Sequence, residues 1–77
     1  MKINVLFFGM AAEAAGKKTA TISNILDTNS LKTILLRDYP LLNKFSFSLA
    51  VEKKIINSNT RLKEGDAIAV LPPFSGG

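Results

Sequence analysis

The segment Lys2 to Phe8 begins by alternating, with Ile3, Val5 and Phe7 on one side and Lys2 and Asn4 on the other, then turns apolar on both faces at Leu6 and Phe8. A period of two predicts a β-strand, and its second half needs cover on both sides. Gly9 to Gly16 is small and Ala-rich and reads as a loop or a short helical turn, after which Lys17 to Ile22 resumes as a β-branched strand. The pair forms a candidate hairpin with a long connection. Beyond Ser23, Asp27 or Thr28 can cap a helix, with Leu26 placed to staple against Leu31. Leu31, Ile34, Leu35 and Asp38 recur at helical spacing, and Pro40 stops the helix near Tyr39, because a residue before proline is pushed out of the α region.

From Phe45 to Val51 the alternation is clean: Phe45, Phe47, Leu49 and Val51 share one face and small residues the other, which predicts a half-buried strand. Glu52-Lys53-Lys54 is a polar turn into a short strand at Ile55-Ile56, and Asn57 to Thr60 is loop by composition. The turn Leu62 to Asp66 launches a last alternating strand, Ala67 to Leu71. Strand, strand, helix, strand, short strand, strand predicts an α+β fold, a mixed sheet of about five strands with one main helix packed across a single face. Ile3, Val5, Phe7, Leu31, Ile34, Leu35, Phe47, Leu49, Ile68 and Val70 are its expected core. In the first and last strands the positions opposite that core are Leu6 and Phe8, and Ala69 and Leu71, apolar where a solvated sheet face is normally polar.

A chain of 77 residues with 47% hydrophobic content is one small globular domain, expected over 1–71 with a flexible Gly-Gly tail over 72–77. The composition narrows the chemistry. There is no cysteine and no histidine, which removes the thiolate nucleophile, the commonest general base and the commonest metal ligands, so self-contained catalysis is not expected. The net charge of +4 raises the question of nucleic acid, but the only adjacent basic pairs are Lys17-Lys18 and Lys53-Lys54, neither interleaved with aromatic residues. No nucleic-acid or membrane partner is expected, and an acidic protein surface fits the charge better. Lys2 and Asn4 break the opening apolar stretch, so it does not read as a signal peptide, and a cytoplasmic location is the default.

The most informative stretch is Pro72-Pro73-Phe74-Ser75-Gly76-Gly77. Two prolines stiffen the exit from the last strand, and two glycines leave a tip without side chains, able to enter a narrow channel in another protein. The bland alternative is an ordinary frayed terminus.

Taken with the turn Leu62 to Asp66 and the opening Val5-Leu6-Phe7-Phe8-Gly9 with Glu13 before Ala14-Ala15-Gly16, that ending resembles the MoaD family over essentially the whole chain. MoaD proteins are the small sulfur-carrier subunits of molybdopterin synthase, with a ubiquitin-like β-grasp fold. The family often has Phe at the position of Leu71, a small branched residue at Phe74, Arg at Ala12 and Asn at Glu52. The resemblance implies that the reactive group is the carboxylate of Gly77. A MoeB-like adenylyltransferase would activate it with ATP and Mg, this chain itself binding no cofactor or metal. A sulfur donor protein would then displace AMP to leave a thiocarboxylate. The charged carrier would dock into a MoaE-like large subunit, in a heterotetramer, and deliver sulfur to cyclic pyranopterin monophosphate. Leu6, Phe8, Ala69, Leu71, Pro72, Pro73, Phe74, Ser75 and Gly76 would form the partner-binding surface, since a β-grasp sheet sets its first and last strands side by side.

Three alternatives share parts of this pattern: a ThiS-like carrier for thiamine thiazole synthesis, a ubiquitin-like protein modifier, and a non-catalytic β-grasp binding module. The Pro-Pro stalk and the Leu-Phe-Phe-Gly opening favour the MoaD reading over the ThiS-like one. Glu13 and Asp66 sit in turns and read as solvated or capping carboxylates, and Phe45 and Phe47 as core rather than a base-stacking platform.

Overall fold

The computed structural model describes residues 2–73. Along the chain run β1 (Lys2–Phe7), α1 (Met10–Ala15), β2 (Thr19–Ser23), α2 (Thr28–Asp38), a 3-10 helix (Pro40–Lys44), β3 (Ser48–Val51), β4 (Lys54–Ile55) and β5 (Ala67–Leu71). The five strands form one sheet in the order β2-β1-β5-β3-β4. β1 and β5 are parallel, and the other neighbours antiparallel. Phe74 to Gly77 lie outside the described residues.

The expected core closes against α2. Ile3, Val5, Phe7, Leu31, Leu35, Leu49, Ile68 and Val70 are buried together, with Ile34 and Phe47 half-buried against them. Ala11, Ile25, Leu42 and Leu62 complete the cluster from segments without a long period, where pattern offers no signal.

Helix α2 begins and ends where its sequence dictates. The Asp27 carboxylate accepts the Ser30 amide at 2.9 Å, satisfying one of the first-turn donors, and that bond, foremost, holds the Asp27 pKa below its ordinary value. At the other end the Tyr39 amide reaches the Leu35 carbonyl at 2.8 Å, just before Pro40. The loop before β5 latches onto the start of the helix: Asn59 Oδ1 accepts the Asn29 amide at 2.9 Å, and the buried Thr28 Oγ1 accepts the Thr60 amide at 2.8 Å. Leu26 is 63% exposed and makes no staple; Ile25 is the buried residue there.

Pro40 does more than stop the helix as expected, and the bounds of three strands are corrected. Pro40 ends α2 and also opens the 3-10 helix at its first position, where a missing N–H costs nothing. The strand expected from Phe45 starts at Ser48, whose partner is Leu71. Continued backwards, the antiparallel register would set Phe47 and Ser46 against Pro72 and Pro73, which have no N–H to donate to a ladder. Likewise β2 starts at Thr19, because Gly16 to Lys18 carry the chain round from α1, and the second short strand is Lys54–Ile55.

Candidate functional site

Alternation along β1 and β5 leaves one sheet face outside the core, and the parallel register joins its residues. Leu6 is the Cα partner of Ala69, and Ala69 is in turn paired with Ala50 of β3, itself opposite Ile55 of β4. An apolar row therefore crosses four strands. Phe8 follows β1 on the same side, 46% exposed, its amide bonded to the Val70 carbonyl at 3.1 Å. Leu6, Ala69, Leu71 and Pro72 are half-buried and Pro73 is exposed. All six of the described residues expected at a partner surface are thus neighbours on the outer face or at its exit. Phe74, Ser75, Gly76 and Gly77 fall outside the described residues.

Small side chains shape this face. Ala50, Ala67 and Ala69 form the floor of a groove of about 260 Å³, walled by Leu6 and Phe8 and closed at one end by Glu52 and Lys53. A second hollow of about 530 Å³ lies across Leu6 and Phe8, bounded by Gly9, Ala12, Lys18 and Thr19. Phe8 is the ridge between them. Pattern reading missed Ala50, Ala67 and Ile55. The small residues opposite Leu49 and Val51 were the available signal, but the β3–β5 register that adds them to the row is a long-range fact.

Glu52 and Lys53 are fixed by backbone geometry. They form the two-residue turn between β3 and β4 with φ of 48° and 73°, and Glu52 Oε2 accepts the Ala67 amide at 2.6 Å. Positive φ at both centres is the hairpin turn that suits strand twist, usually filled by Asn and Gly. Glu13 and Asp66 do not meet. Asp66 lies by the start of β1, its carbonyl accepting the Asn4 amide at 2.9 Å and its carboxylate accepting the Lys63 amide at 2.8 Å. Glu13 is at the other end of that strand, exposed on α1. Among the described residues no three acidic side chains cluster as a metal site, and no helix is long and apolar enough to cross a membrane.

A five-stranded mixed sheet with parallel first and last strands under one main helix defines a ubiquitin-like β-grasp protein. The model of the ThiS family matches residues 5–77, and the chain belongs to that family, which also takes in MoaD proteins. It is 37% identical over 83 residues to the molybdopterin synthase sulfur carrier subunit of Caenorhabditis briggsae, covering 100% of this chain and 99% of the relative. Among solved structures it is similar to a chain of the complex of subunits 1 and 2 of molybdopterin-converting factor from Helicobacter pylori, with TM-score 0.75, 31% identity and 100% coverage of both chains. It is also similar to small archaeal modifier protein 1 of Methanosarcina acetivorans, with TM-score 0.82 and 25% identity over 99% of this chain and 96% of that one.

Proposed function

We propose that this chain is a sulfur carrier of molybdenum cofactor biosynthesis, acting as the small subunit of a molybdopterin synthase. The observation that carries the reading is the apolar row from Leu6 to Ile55, which crosses β5 at Ala69, three residues before Pro72 in a sequence that runs on through Pro73 to Gly76-Gly77. The full-length likeness to a sulfur carrier subunit supports it. The chain has no cysteine or histidine, and a terminal carboxylate that is activated as an electrophile and then converted to a thiocarboxylate supplies the sulfur that its side chains lack.

A carboxylate is a poor electrophile. A MoeB-like partner would join an oxygen of Gly77 to the α-phosphorus of ATP, expelling pyrophosphate and giving a mixed anhydride with AMP as leaving group. Hydrosulfide released by a sulfur donor protein would then form the C–S bond as the C–O bond to AMP breaks, releasing AMP and a proton and leaving the thiocarboxylate. Docked on a MoaE-like large subunit through Leu6, Phe8, Ala69 and Leu71, the carrier would deliver that sulfur to cyclic pyranopterin monophosphate, with acid-base groups supplied by the partner.

A protein-modifier reading has one observation in its favour, the likeness to an archaeal modifier protein. Both readings activate Gly77 and differ in the acceptor, a pterin or a lysine. Incubation with ATP, an activating enzyme and a sulfur source, followed by intact-mass analysis, tests the proposal: the expected product carries one sulfur in place of one oxygen. No exchange under conditions that charge an authentic carrier would overturn it, and covalent adducts with lysate proteins in place of sulfur exchange would favour the modifier.

A further inference from the structure

Gly9 follows the ridge residue Phe8 with φ 54° and ψ −131°, the mirror image of polyproline backbone and a conformation open to glycine but costly for an L-residue. It is the first central residue of a turn closed by the Ala11 amide on the Phe8 carbonyl at 3.0 Å, which tips the chain from β1 into α1. Backbone conformation is only half of the requirement. A Cβ added at Gly9 would lie 3.2 Å from Pro72 Cγ, inside ordinary contact distance, whereas one added at Gly16 or Gly65 would meet nothing within 4 Å. Among the described glycines, Gly9 alone makes room for a neighbour, and that neighbour is the first residue past the last strand.

Pro72 has no N–H, and the Ser48–Leu71 pair is the last in its ladder, so no backbone hydrogen bond from its own amide can fix its direction. Its half-buried ring must be held by packing. The bond from the Phe8 amide to the Val70 carbonyl anchors the two strands one residue before Gly9 and two before Pro72, bringing turn and stalk root together.

We propose that the Gly9 turn is a seat for Pro72 that sets the direction in which the chain leaves the sheet, which makes Gly9 a positioning residue for activation of the Gly77 carboxylate. The proposal rests on the carrier reading. The four residues beyond Pro73 can span at most roughly 14 Å, so the point and direction in which the chain leaves the sheet bound the volume that the terminal carboxylate can reach. Misplacement of a reacting group by about 1 Å can cost on the order of a hundredfold in rate.

The test pairs a partner-free observation with a double-mutant cycle. A nuclear Overhauser contact between Gly9 Hα and Pro72 Hγ is expected in the free wild-type protein. In the ATP–pyrophosphate exchange catalysed by an activating enzyme, Gly9→Ala and Pro72→Ala are each expected to lower kcat about tenfold, with KM changed less than about twofold in Gly9→Ala, which removes no docking side chain, and the double variant to have a kcat no lower than the slower single one. Simple destabilisation would deplete the folded carrier and raise the apparent KM, leaving kcat at saturation unchanged. Pro72→Ala lies beyond the last ladder pair, so it reports even if Gly9→Ala fails to fold. Wild-type kcat in Pro72→Ala, losses that multiply in the double variant, or absence of the Overhauser contact would overturn the seat while leaving the carrier reading intact. A wild-type chain that supports no exchange would overturn both, with the Overhauser contact still deciding the geometry.

Discussion

The ring of Tyr39 meets the buried ring of Phe7 edge to face, with 5.4 Å between centroids and 72° between planes. The residue that caps α2 is thereby fastened to the end of β1, and Lys17 Nζ stands 5.6 Å from the centroid of the same Tyr39 ring. Phe7→Ala should remove the pair and leave a cavity, costing about 3–5 kcal/mol, a large share of the stability of so small a domain. Phe47→Ala, at a half-buried position, should cost about 1–2 kcal/mol. Urea unfolding of both variants at unchanged m-value checks the ordering, and equal costs would contradict the burial difference.

Lys53 takes φ of 73° at the second centre of the β3–β4 turn, a conformation that strains any residue with a Cβ. Lys53→Gly should therefore stabilise the protein by about 0.5–1 kcal/mol even though it removes a side chain. A lowered thermal midpoint would mean that the Lys53 side chain does more for the hairpin than its exposed position indicates.

The Ser30 amide bond displaces the Asp27 carboxyl pKa downward. A carboxyl with a lower pKa folded than unfolded contributes stability in full above its unfolded value, near pH 4, and loses it as pH falls through the folded value. Asp27→Asn keeps a capping oxygen but cannot titrate, so the thermal midpoint of the wild type should drop toward, or below, that of D27N on acidification below about pH 4. Parallel pH profiles would show that the cap gains nothing from its charge.

How much of this was legible beforehand differs by element. Strands β1 and β5 and helix α2 announce themselves, because period-two or helical spacing in Ile3-Val5-Phe7, Ile68-Val70 and Leu31-Leu35 matches the faces they bury. The start of β3 does not, since Phe45 and Phe47 alternate like a strand and only the prolines opposite them end the ladder. Leu42, in a 3-10 helix of five residues, has too short a context for any period to show. Four of the outer-face residues could be read from their wrong-side apolarity, but their union with Ala50 and Ile55 depends on register across the sheet. The Gly9–Pro72 contact joins two turn-forming residues whose sequence signals say nothing of each other.

The outer face yields the last prediction. Phe8 is the exposed ridge between the two hollows and Leu71 the half-buried residue from which the stalk departs, and neither belongs to the core cluster. A charge at either position would be solvated in the free protein and desolvated beneath a partner, where an unpaired carboxylate is costly. The double variant Phe8→Asp and Leu71→Asp should keep its thermal midpoint within a few degrees of wild type and still lose at least about tenfold in affinity for a MoaE-like large subunit, a penalty of about 1.4 kcal/mol or more. Calorimetric titration against that subunit reads the affinity, and circular dichroism confirms the fold. An unchanged affinity in the folded variant would move the docking surface away from this face, because no partner that covers Phe8 can accept two buried carboxylates without loss.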